Sequence, residues 1–257
     1  MTATALRELL DFAVDTAWQA GKITLEYFQT RHSVERKPDQ SVVTIADRRA
    51  EEAIRHLIRS RFPDHGIIGE EYGSESASSE YTWIVDPIDG TQSFVHGVPL
   101  YGVLLGLEYR NEVVLGVVNC PGLDDMVYAA RGQGCYWNGR RARVSETAIL
   151  QEATITTSGP EHFRTTGRLH SWERLTAQTA RYRTWGDCYG YVLVATGRAD
   201  VMIDPIMNVW DCAPLLPVIT EAGGRFTDWN GAATIRGGDA VATNGRLHAA
   251  VLSALKI

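Results

Sequence analysis

The sequence lacks several features that whole classes of protein require. Its four cysteines, Cys120, Cys135, Cys188 and Cys212, form no C-x-x-C pair and have no histidine cluster beside them at zinc spacing. It has no long basic run, and a net charge of −6 disfavours a nucleic-acid partner. No stretch approaches the roughly 20 apolar residues that span a bilayer, and the first residues lack a signal-peptide pattern. We therefore expect a cytoplasmic protein with reduced cysteines and no nucleic-acid or membrane partner.

The chain is long enough for one large domain or two closely packed lobes. It has 257 residues, of which 44% are hydrophobic and 22% charged. Apolar residues at helical spacing predict a first helix ending near Phe28 and a second beginning near Thr44. Strand patterns follow, and from residue 149 onward strands alternate with helices. The pattern predicts an α/β (α+β) fold, with a largely antiparallel sheet in residues 1–148 and an α/β lobe in residues 149–257.

One segment, residues 83–91, carries most of the chemical information. Its sequence is Trp-Ile-Val-Asp-Pro-Ile-Asp-Gly-Thr, a buried strand end followed by Asp86 and Asp89. Pro87 favours a rigid turn, and Gly90 permits backbone conformations closed to other residues. Two carboxylates on a stiff turn suit a hard divalent cation such as Mg²⁺, Ca²⁺ or Mn²⁺. The alternative is an ordinary turn, because Asp, Pro and Gly are common turn residues.

Further acids stand at the ends of predicted elements. Glu70 and Glu71 follow an apparent strand, while Asp47 and Asp211 each lie at a helix start. Taken singly, each has a structural explanation: the two glutamates as solvated turn acids, Asp47 as part of a helix cap, and Asp211 as a complement to a helix dipole. Taken together with the Asp86 turn, they are consistent with a site for more than one metal ion.

The order of these segments resembles the inositol monophosphatase superfamily of Mg²⁺-dependent phosphomonoesterases. The resemblance rests on three separated pieces and covers nearly the whole chain: Glu70-Glu71, then residues 86–91, then Trp210-Asp211-Cys212-Ala213. Lys37, Asp39, Asp47 and residues 242–245 also fall where the family has similar residues. The resemblance implies a layered α/β/α/β/α fold and a homodimer.

The resemblance also implies roles for individual residues. Two or three Mg²⁺ ions, or Mn²⁺ as a substitute, would be held by Glu70, Asp86, Asp89, Asp211 and the backbone carbonyl of Ile88. Asp47 and Thr91, helped by Glu70, would position and activate the attacking water. The backbone N–H groups of Gly90 and Thr91 would hold the phosphate at a helix start.

Two positions depart from the family pattern without removing a ligand. The family commonly has Asn where this chain has Ser93, near the phosphate loop. It has a small residue where this chain has Pro214, which we expect in the first turn of the Asp211 helix, where proline is tolerated.

The choice of substrate is expected to lie in the second half. The segment Trp-Gly-Asp-Cys-Tyr-Gly-Tyr around Asp187, followed by Asp204, resembles the histidinol-phosphate phosphatase branch of the superfamily. Inositol monophosphatases have small neutral residues near Asp187. Two acids outside the ligand set would favour the ammonium group of histidinol phosphate over a neutral polyol, which would leave them unpaired. The alternative for Asp187 is a helix N-cap.

Aromatic and histidine side chains near this segment leave alternatives open. Trp185, Tyr189 and Tyr191 could stack on the imidazole of the substrate or belong to the core. Four histidines show no partner pattern that would mark a catalytic base: His96, His162, His170 and His248. His96 follows the metal turn and could line the site, but a surface or loop position is expected for it.

Two rival functions remain beside histidinol-phosphate hydrolysis. The nearer one is an inositol-1-phosphate phosphatase, or a broad sugar or polyol phosphatase, with the same machinery. The other is a binding or regulatory protein without catalysis, which the complete set of acids and the negative charge disfavour.

Overall fold

The elements follow the apolar spacing of the sequence closely. The structure, a computed structural model, describes residues 2–31, 33–36, 42–76 and 78–256. Lys37 and Asp39, which contribute to the resemblance, lie outside the described residues. The helices are α1 (Ala3–Tyr27), α2 (Ile45–Arg61), α3 (Thr91–Val95), α4 (Pro160–Thr165), α5 (Leu169–Thr176), α6 (Asp187–Ala195), α7 (Val209–Glu221) and α8 (His248–Leu255).

The strands form two main sheets and one small two-stranded antiparallel sheet. The strands are β1 (Val34–Arg36), β2 (Val42–Thr44), β3 (Gly66–Gly69), β4 (Gly73–Glu75), β5 (Tyr81–Asp89), β6 (Gly102–Tyr109), β7 (Glu112–Cys120), β8 (Asp125–Ala130), β9 (Gly134–Trp137), β10 (Arg140–Arg141), β11 (Thr154–Thr156), β12 (Arg181–Arg183), β13 (Val201–Asp204), β14 (Arg225–Thr227) and β15 (Ala240–Thr243). Asn138 and Gly139 connect β9 to β10, as their turn chemistry predicts.

The first main sheet has the order β10-β9-β8-β7-β6-β5-β3-β4. Its pairings are antiparallel except for β3 beside β5, which run parallel. The apolar faces of α1 and α2 cover one side of this sheet, where Leu10, Ile54 and Trp83 belong to one buried cluster. On the other side, α6 and α7 pack against the same strands, with Leu104, Tyr191 and Val218 in a second cluster.

The second main sheet has the order β12-β11-β13-β15-β14, with β11 parallel to both of its neighbours. Helices α6 and α7 lie between the two sheets, since their buried cluster also includes Met202, Phe226 and Ala242. The outer side of this sheet is covered by α4, α5 and α8 through a third cluster that contains Phe163, Leu175 and Val251. The layers are therefore α/β/α/β/α, which confirms the predicted fold class.

Helix α7 lies directly on the first sheet because glycines leave room for its backbone. A Cβ atom at Gly116 would overlap with the backbone of Pro214, and one at Gly106 would come within 3.0 Å of the Ala213 Cβ. The prediction that Pro214 lies in the first turn is wrong. The helix begins at Val209, so Pro214 is its sixth residue. This close approach places the start of α7 at the end of β5.

Two other expectations can be compared with the structure. The four cysteines are buried free thiols, as predicted. In the described part of the chain, no helix is both long and apolar enough to cross a membrane. Helix α4 was not predicted, because Gly159-Pro160 has the composition of a loop.

Candidate active site

The turn at the end of β5 holds the carboxylate of Asp86 through its own backbone. The pairing of β5 with β6 shifts register between Asp86 and Asp89, which forms a bulge. Oδ1 of Asp86 accepts the backbone N–H of Ile88 at 3.0 Å. Gly90 follows with φ of +86°, and a Cβ atom there would lie 2.9 Å from the carbonyl oxygen of Leu100. This position therefore requires glycine both for its conformation and for the space it leaves.

Three carboxylates converge beside this turn. Ligand oxygens of Asp86, Asp89 and Asp211 all lie within 4.8 Å of one another. Burial, together with the neighbouring negative charges, raises the pKa of Asp86 and of Asp89 well above the usual range, and burial raises the pKa of Asp211 to about 7. Ionised carboxylates this close repel each other unless a cation lies between them. The all-oxygen donor set fits Mg²⁺ or Mn²⁺.

Asp47 and Asp211 are both helix caps. Each is the third residue of its helix and completes a capping box, with Oδ2 accepting a backbone N–H at 2.7 Å from Thr44 or from Asn208. The sequence left capping and function as alternatives, and the two are geometrically compatible because these capping bonds use one oxygen of each carboxylate. The cap fixes the orientation of the carboxylate, and the rest of the group remains available to the site.

Glu70 reaches the same region from β3. Its backbone N–H donates to the carbonyl of Val85 at 3.2 Å, which ties it to β5. Its negative charge contributes to the raised pKa values of Asp47, Asp86 and Asp211. Glu70 is not part of the tight group of three carboxylates, but it lies within electrostatic range of each of these acids.

Thr91 connects the turn to α2. Its hydroxyl lies 3.0 Å from the carbonyl oxygen of Ile88, to which it donates, and 3.4 Å from Oδ1 of Asp47. Burial raises the pKa of Asp47 to about 6. The carboxylate and the hydroxyl thus face each other where the resemblance predicts that a water molecule is activated.

Asp187 lies beside Gly90 and Ser93, where the resemblance predicts the phosphate loop. Its Oδ2 lies 3.4 Å from the Ser93 hydroxyl, and a Cβ atom at Gly90 would be 3.0 Å from that oxygen. The N-cap of α6 is Gly186 rather than Asp187, so the capping alternative is wrong. Asp187 has φ of +51°, and burial raises its pKa to about 6. The next residue, Cys188, donates its backbone N–H to Oδ2 of Asp89.

Asp204 is held by donors from its own surroundings. Its Oδ1 accepts the backbone N–H of Ser158 at 2.9 Å and the Thr157 hydroxyl at 3.3 Å, and its Oδ2 accepts the Tyr191 hydroxyl at 3.2 Å. Only 2% of Asp204 is exposed, and burial raises its pKa to about 7. Tyr191 belongs to the core, which is one of the two positions that the sequence left open for it.

Four of these acids, Asp89, Asp187, Asp204 and Asp211, line one cavity of about 110 Å³. Its walls are formed by acids from both halves of the chain together with polar and apolar neighbours: Asp89, Ser158, His162, Asp187, Tyr191, Asp204, Ile206, Met207 and Asp211. His162 lies on α4, and its charge acts to lower the pKa of Asp187. Sequence reasoning assigned His162 no role because the helix that carries it was not predicted.

The remaining aromatic and histidine candidates lie elsewhere. Trp185 is 42% exposed, and Tyr189 accepts a hydrogen bond from Arg198 at 3.3 Å. His96 is exposed, as expected, and so is His170. His248 is buried between the hydroxyls of Thr227 and Thr243, each 3.1 Å away.

The chain also matches known proteins over most of its length. The model of the inositol monophosphatase family matches residues 5–257. The chain belongs to this family. It is 44% identical to a histidinol-phosphatase of Chlorobaculum parvum over 90% of this chain and 89% of that protein. It is 40% identical to a histidinol-phosphatase of Mycobacterium tuberculosis, with 86% and 87% covered. An inositol monophosphatase structure from Thermotoga maritima matches with a TM-score of 0.88 at 34% identity, covering 96% of each chain.

Proposed function

We propose that this protein is a Mg²⁺-dependent phosphomonoesterase that hydrolyses L-histidinol phosphate to L-histidinol and phosphate. The observation that carries this proposal is the position of Asp187, whose carboxylate overlies Gly90 and lines the same cavity as Asp89. An acid at that point lies beside the phosphate loop without being needed to hold a metal. It is therefore available to a positive group on the substrate.

The metal ligands proposed from the resemblance are compatible with the geometry. Two or three Mg²⁺ ions, or Mn²⁺ in their place, would be held by Glu70, Asp86, Asp89, Asp211 and the carbonyl of Ile88. When bound, Mg²⁺ would neutralise these carboxylates, polarise the phosphoryl group and lower the pKa of a nearby water molecule. The raised pKa values of Asp86 and Asp89 support a cation at this point.

The protein's own residues position the reactants. Asp47 and the Thr91 hydroxyl would orient the attacking water, with Asp47 accepting its proton. The backbone N–H groups of Gly90 and Thr91 would hold the phosphate oxygens. As the water oxygen bonds to phosphorus, the bond between phosphorus and the ester oxygen breaks, and the released alkoxide takes up a proton.

The outer acids favour an amine-bearing ester. The ammonium group of histidinol phosphate would compensate the charge of Asp187, while Asp204 would keep the cavity wall negative. A neutral polyol would leave these carboxylates partly desolvated without a positive partner, which costs binding energy. We further propose that residues 1–148 form the metal-binding lobe and residues 149–257 the substrate-specificity lobe, which also contributes Asp211 to the metal site, in a cytoplasmic homodimer.

The second candidate is an inositol-1-phosphate phosphatase. It is favoured by the match to the inositol monophosphatase structure from Thermotoga maritima. The same turn and acids would serve both reactions. A purely binding or regulatory role is the third alternative.

Phosphate release from L-histidinol phosphate and from myo-inositol 1-phosphate, each with and without Mg²⁺, tests these alternatives. We expect Mg²⁺-dependent release, with kcat/KM higher for histidinol phosphate by roughly ten- to a hundredfold, the equivalent of one charge-assisted hydrogen bond. A preference for inositol phosphate would support the second candidate. Absence of release from either ester would support the binding role.

A further inference from the structure

A buried ion pair lies one helical turn beyond Asp47. Glu51 and Arg55 are four residues apart on α2, and Nε of Arg55 lies 2.7 Å from Oε1 of Glu51. Their side chains are 0% and 3% exposed. Burying two charges costs desolvation energy, and their mutual attraction recovers that cost only when further hydrogen bonds satisfy both groups. The additional partners of this pair therefore indicate its purpose.

Those partners belong to the turn that follows Glu70. Glu51 accepts the backbone N–H of Glu71 at 2.8 Å and that of Tyr72 at 3.2 Å. Arg55 donates to the backbone carbonyl of Gly73 and to the Glu75 carboxylate, the latter at 2.7 Å. The two charges thus bind the main chain of this turn, which fixes its path whatever side chains it carries.

Gly69, the residue immediately before Glu70, leaves the space that this contact needs. A Cβ atom at Gly69 would overlap with Oε1 of Glu51 and would lie 2.7 Å from Nη2 of Arg55. Its backbone does not adopt the left-handed region, so space and not conformation requires glycine here. The carboxylate of Glu51 can therefore lie flat against the end of β3.

We infer that Glu51 and Arg55 are a positioning pair that fixes Glu70 relative to Asp47 and so sets the affinity of the site for its metal. Asp47 and Glu51 occupy successive turns of the same helix, so the turn after Glu70 is held to the element that carries Asp47. This inference rests on the metal-binding role proposed for Glu70 and extends it to residues that touch neither metal nor substrate.

The test measures metal binding directly, by the loss of the free Mn²⁺ signal in electron paramagnetic resonance. In Glu51→Gln the shape is kept and the charge is lost. We expect the Mn²⁺ dissociation constant to rise about ten- to a hundredfold, as for other partners that orient metal ligands. Gly69→Ala keeps both charges but displaces Glu51, and it should raise the constant in the same direction. At saturating Mg²⁺, kcat should recover to within a few-fold.

Glu108→Gln provides a matched control. Glu108 is buried and accepts two bonds from Arg236, at 2.7 and 2.9 Å, away from the cavity. This change also removes one buried charge from an arginine pair, so it should lower stability towards urea while leaving Mn²⁺ affinity unchanged.

Unchanged Mn²⁺ affinity in both Glu51→Gln and Gly69→Ala would overturn the inference. Equal weakening in the Glu108→Gln control would do so too, because the effect would then follow general destabilisation. Loss of the folded state in both site variants, judged by circular dichroism, would assign the pair to folding instead of positioning. The binding readout needs no substrate, so a failure of the proposed reaction would leave this test intact.

Discussion

The acids at the two ends of the cavity are stabilised in different ways. At the inner end, Asp86, Asp89 and Asp211 crowd their oxygens within 4.8 Å of one another. At the outer end, Asp204 accepts hydrogen bonds from Ser158, Thr157 and Tyr191. The inner group needs a cation to offset its repulsion, whereas Asp204 is stabilised by the protein itself. We propose that the inner end serves a metal-dependent reaction and that the outer end supplies a fixed electrostatic background against which the substrate is selected.

The largest expected effect comes from Asp89→Asn at the inner end. We expect phosphate release from both esters to fall by about a thousandfold, or about 4 kcal/mol of transition-state stabilisation, because a ligand charge is lost while the amide oxygen can still accept from Cys188. The metal-free variant should melt at a higher temperature than the metal-free wild type, because one repelling charge is gone. Phosphate assays and melting curves with and without Mg²⁺ check both outcomes. A lower melting temperature would contradict the repulsion assigned to the inner end.

Asp187→Asn separates the two ends by substrate. We expect kcat/KM for histidinol phosphate to fall by about ten- to a hundredfold, the cost of about 1.5–3 kcal/mol for a lost charged hydrogen bond. The value for inositol 1-phosphate should change by less than about threefold. Asn is suited to the positive φ of this residue, so the backbone is preserved. Equal losses of kcat/KM for both esters would show that Asp187 does not bind the ammonium group.

The pH dependence of stability in the metal-free protein also distinguishes the two ends of the cavity. The pKa values of Asp204 and Asp211, each about 7, lie above those of an unfolded chain. The folded state therefore binds more protons, so each of these two acids should add about 2 kcal/mol to stability as the pH falls from 8 to 5.5. Saturating Mg²⁺ should abolish the part of this pH-dependent stabilisation that comes from the inner acids. The part that comes from Asp204 should persist in Mg²⁺ and disappear in Asp204→Asn. Urea unfolding at each pH measures both.

The smallest effect comes from a histidine outside the cavity. Burial lowers the pKa of His248 to about 4, below that of an unfolded chain, so its contribution is present above pH 6.5 and is lost as the pH falls towards 4. We expect a loss of about 1 kcal/mol at pH 5.5, which opposes the gain from the acids. His248→Asn should remove this loss in urea unfolding, and His170→Asn, at an exposed position, should not. If the free energy of unfolding depends on pH in the same way in His248→Asn and in the wild type, the carboxylates of the cavity alone account for that dependence.

Sequence reasoning succeeded where local pattern decides structure. Helical spacing predicted α1 and α2, and the acids of the 86–91 turn were found because they are close together in the chain. It failed where residues meet through packing. His162 reaches the cavity from α4, whose start at Gly159-Pro160 has the composition of a loop. No pattern within the chain predicts that Ile206 lines the same cavity as Asp187.

Sequence patterns also fail to show which charged residues are buried. Glu51 and Arg55 have the spacing of an ordinary exposed ion pair on a helix surface, and only the turn that covers them makes them buried. The structural explanations of Asp47 and Asp211 were also incomplete for a physical reason. A carboxylate has two oxygens, so one group can cap a helix and face a site at once.

The left-handed backbone at Asp187 limits which residues can replace the acid that we propose to contact the substrate. Asp89 is held by the main-chain N–H of Cys188, which every residue except proline supplies, so the side chain at 187 can change without removing this contact. A φ of +51° restricts the replacements, however, to Asn, Gly and a few others. New substrate preferences reachable by one substitution at this position are therefore those of an amide or of no side chain. A bulky or branched group there would first require a different path for the start of α6.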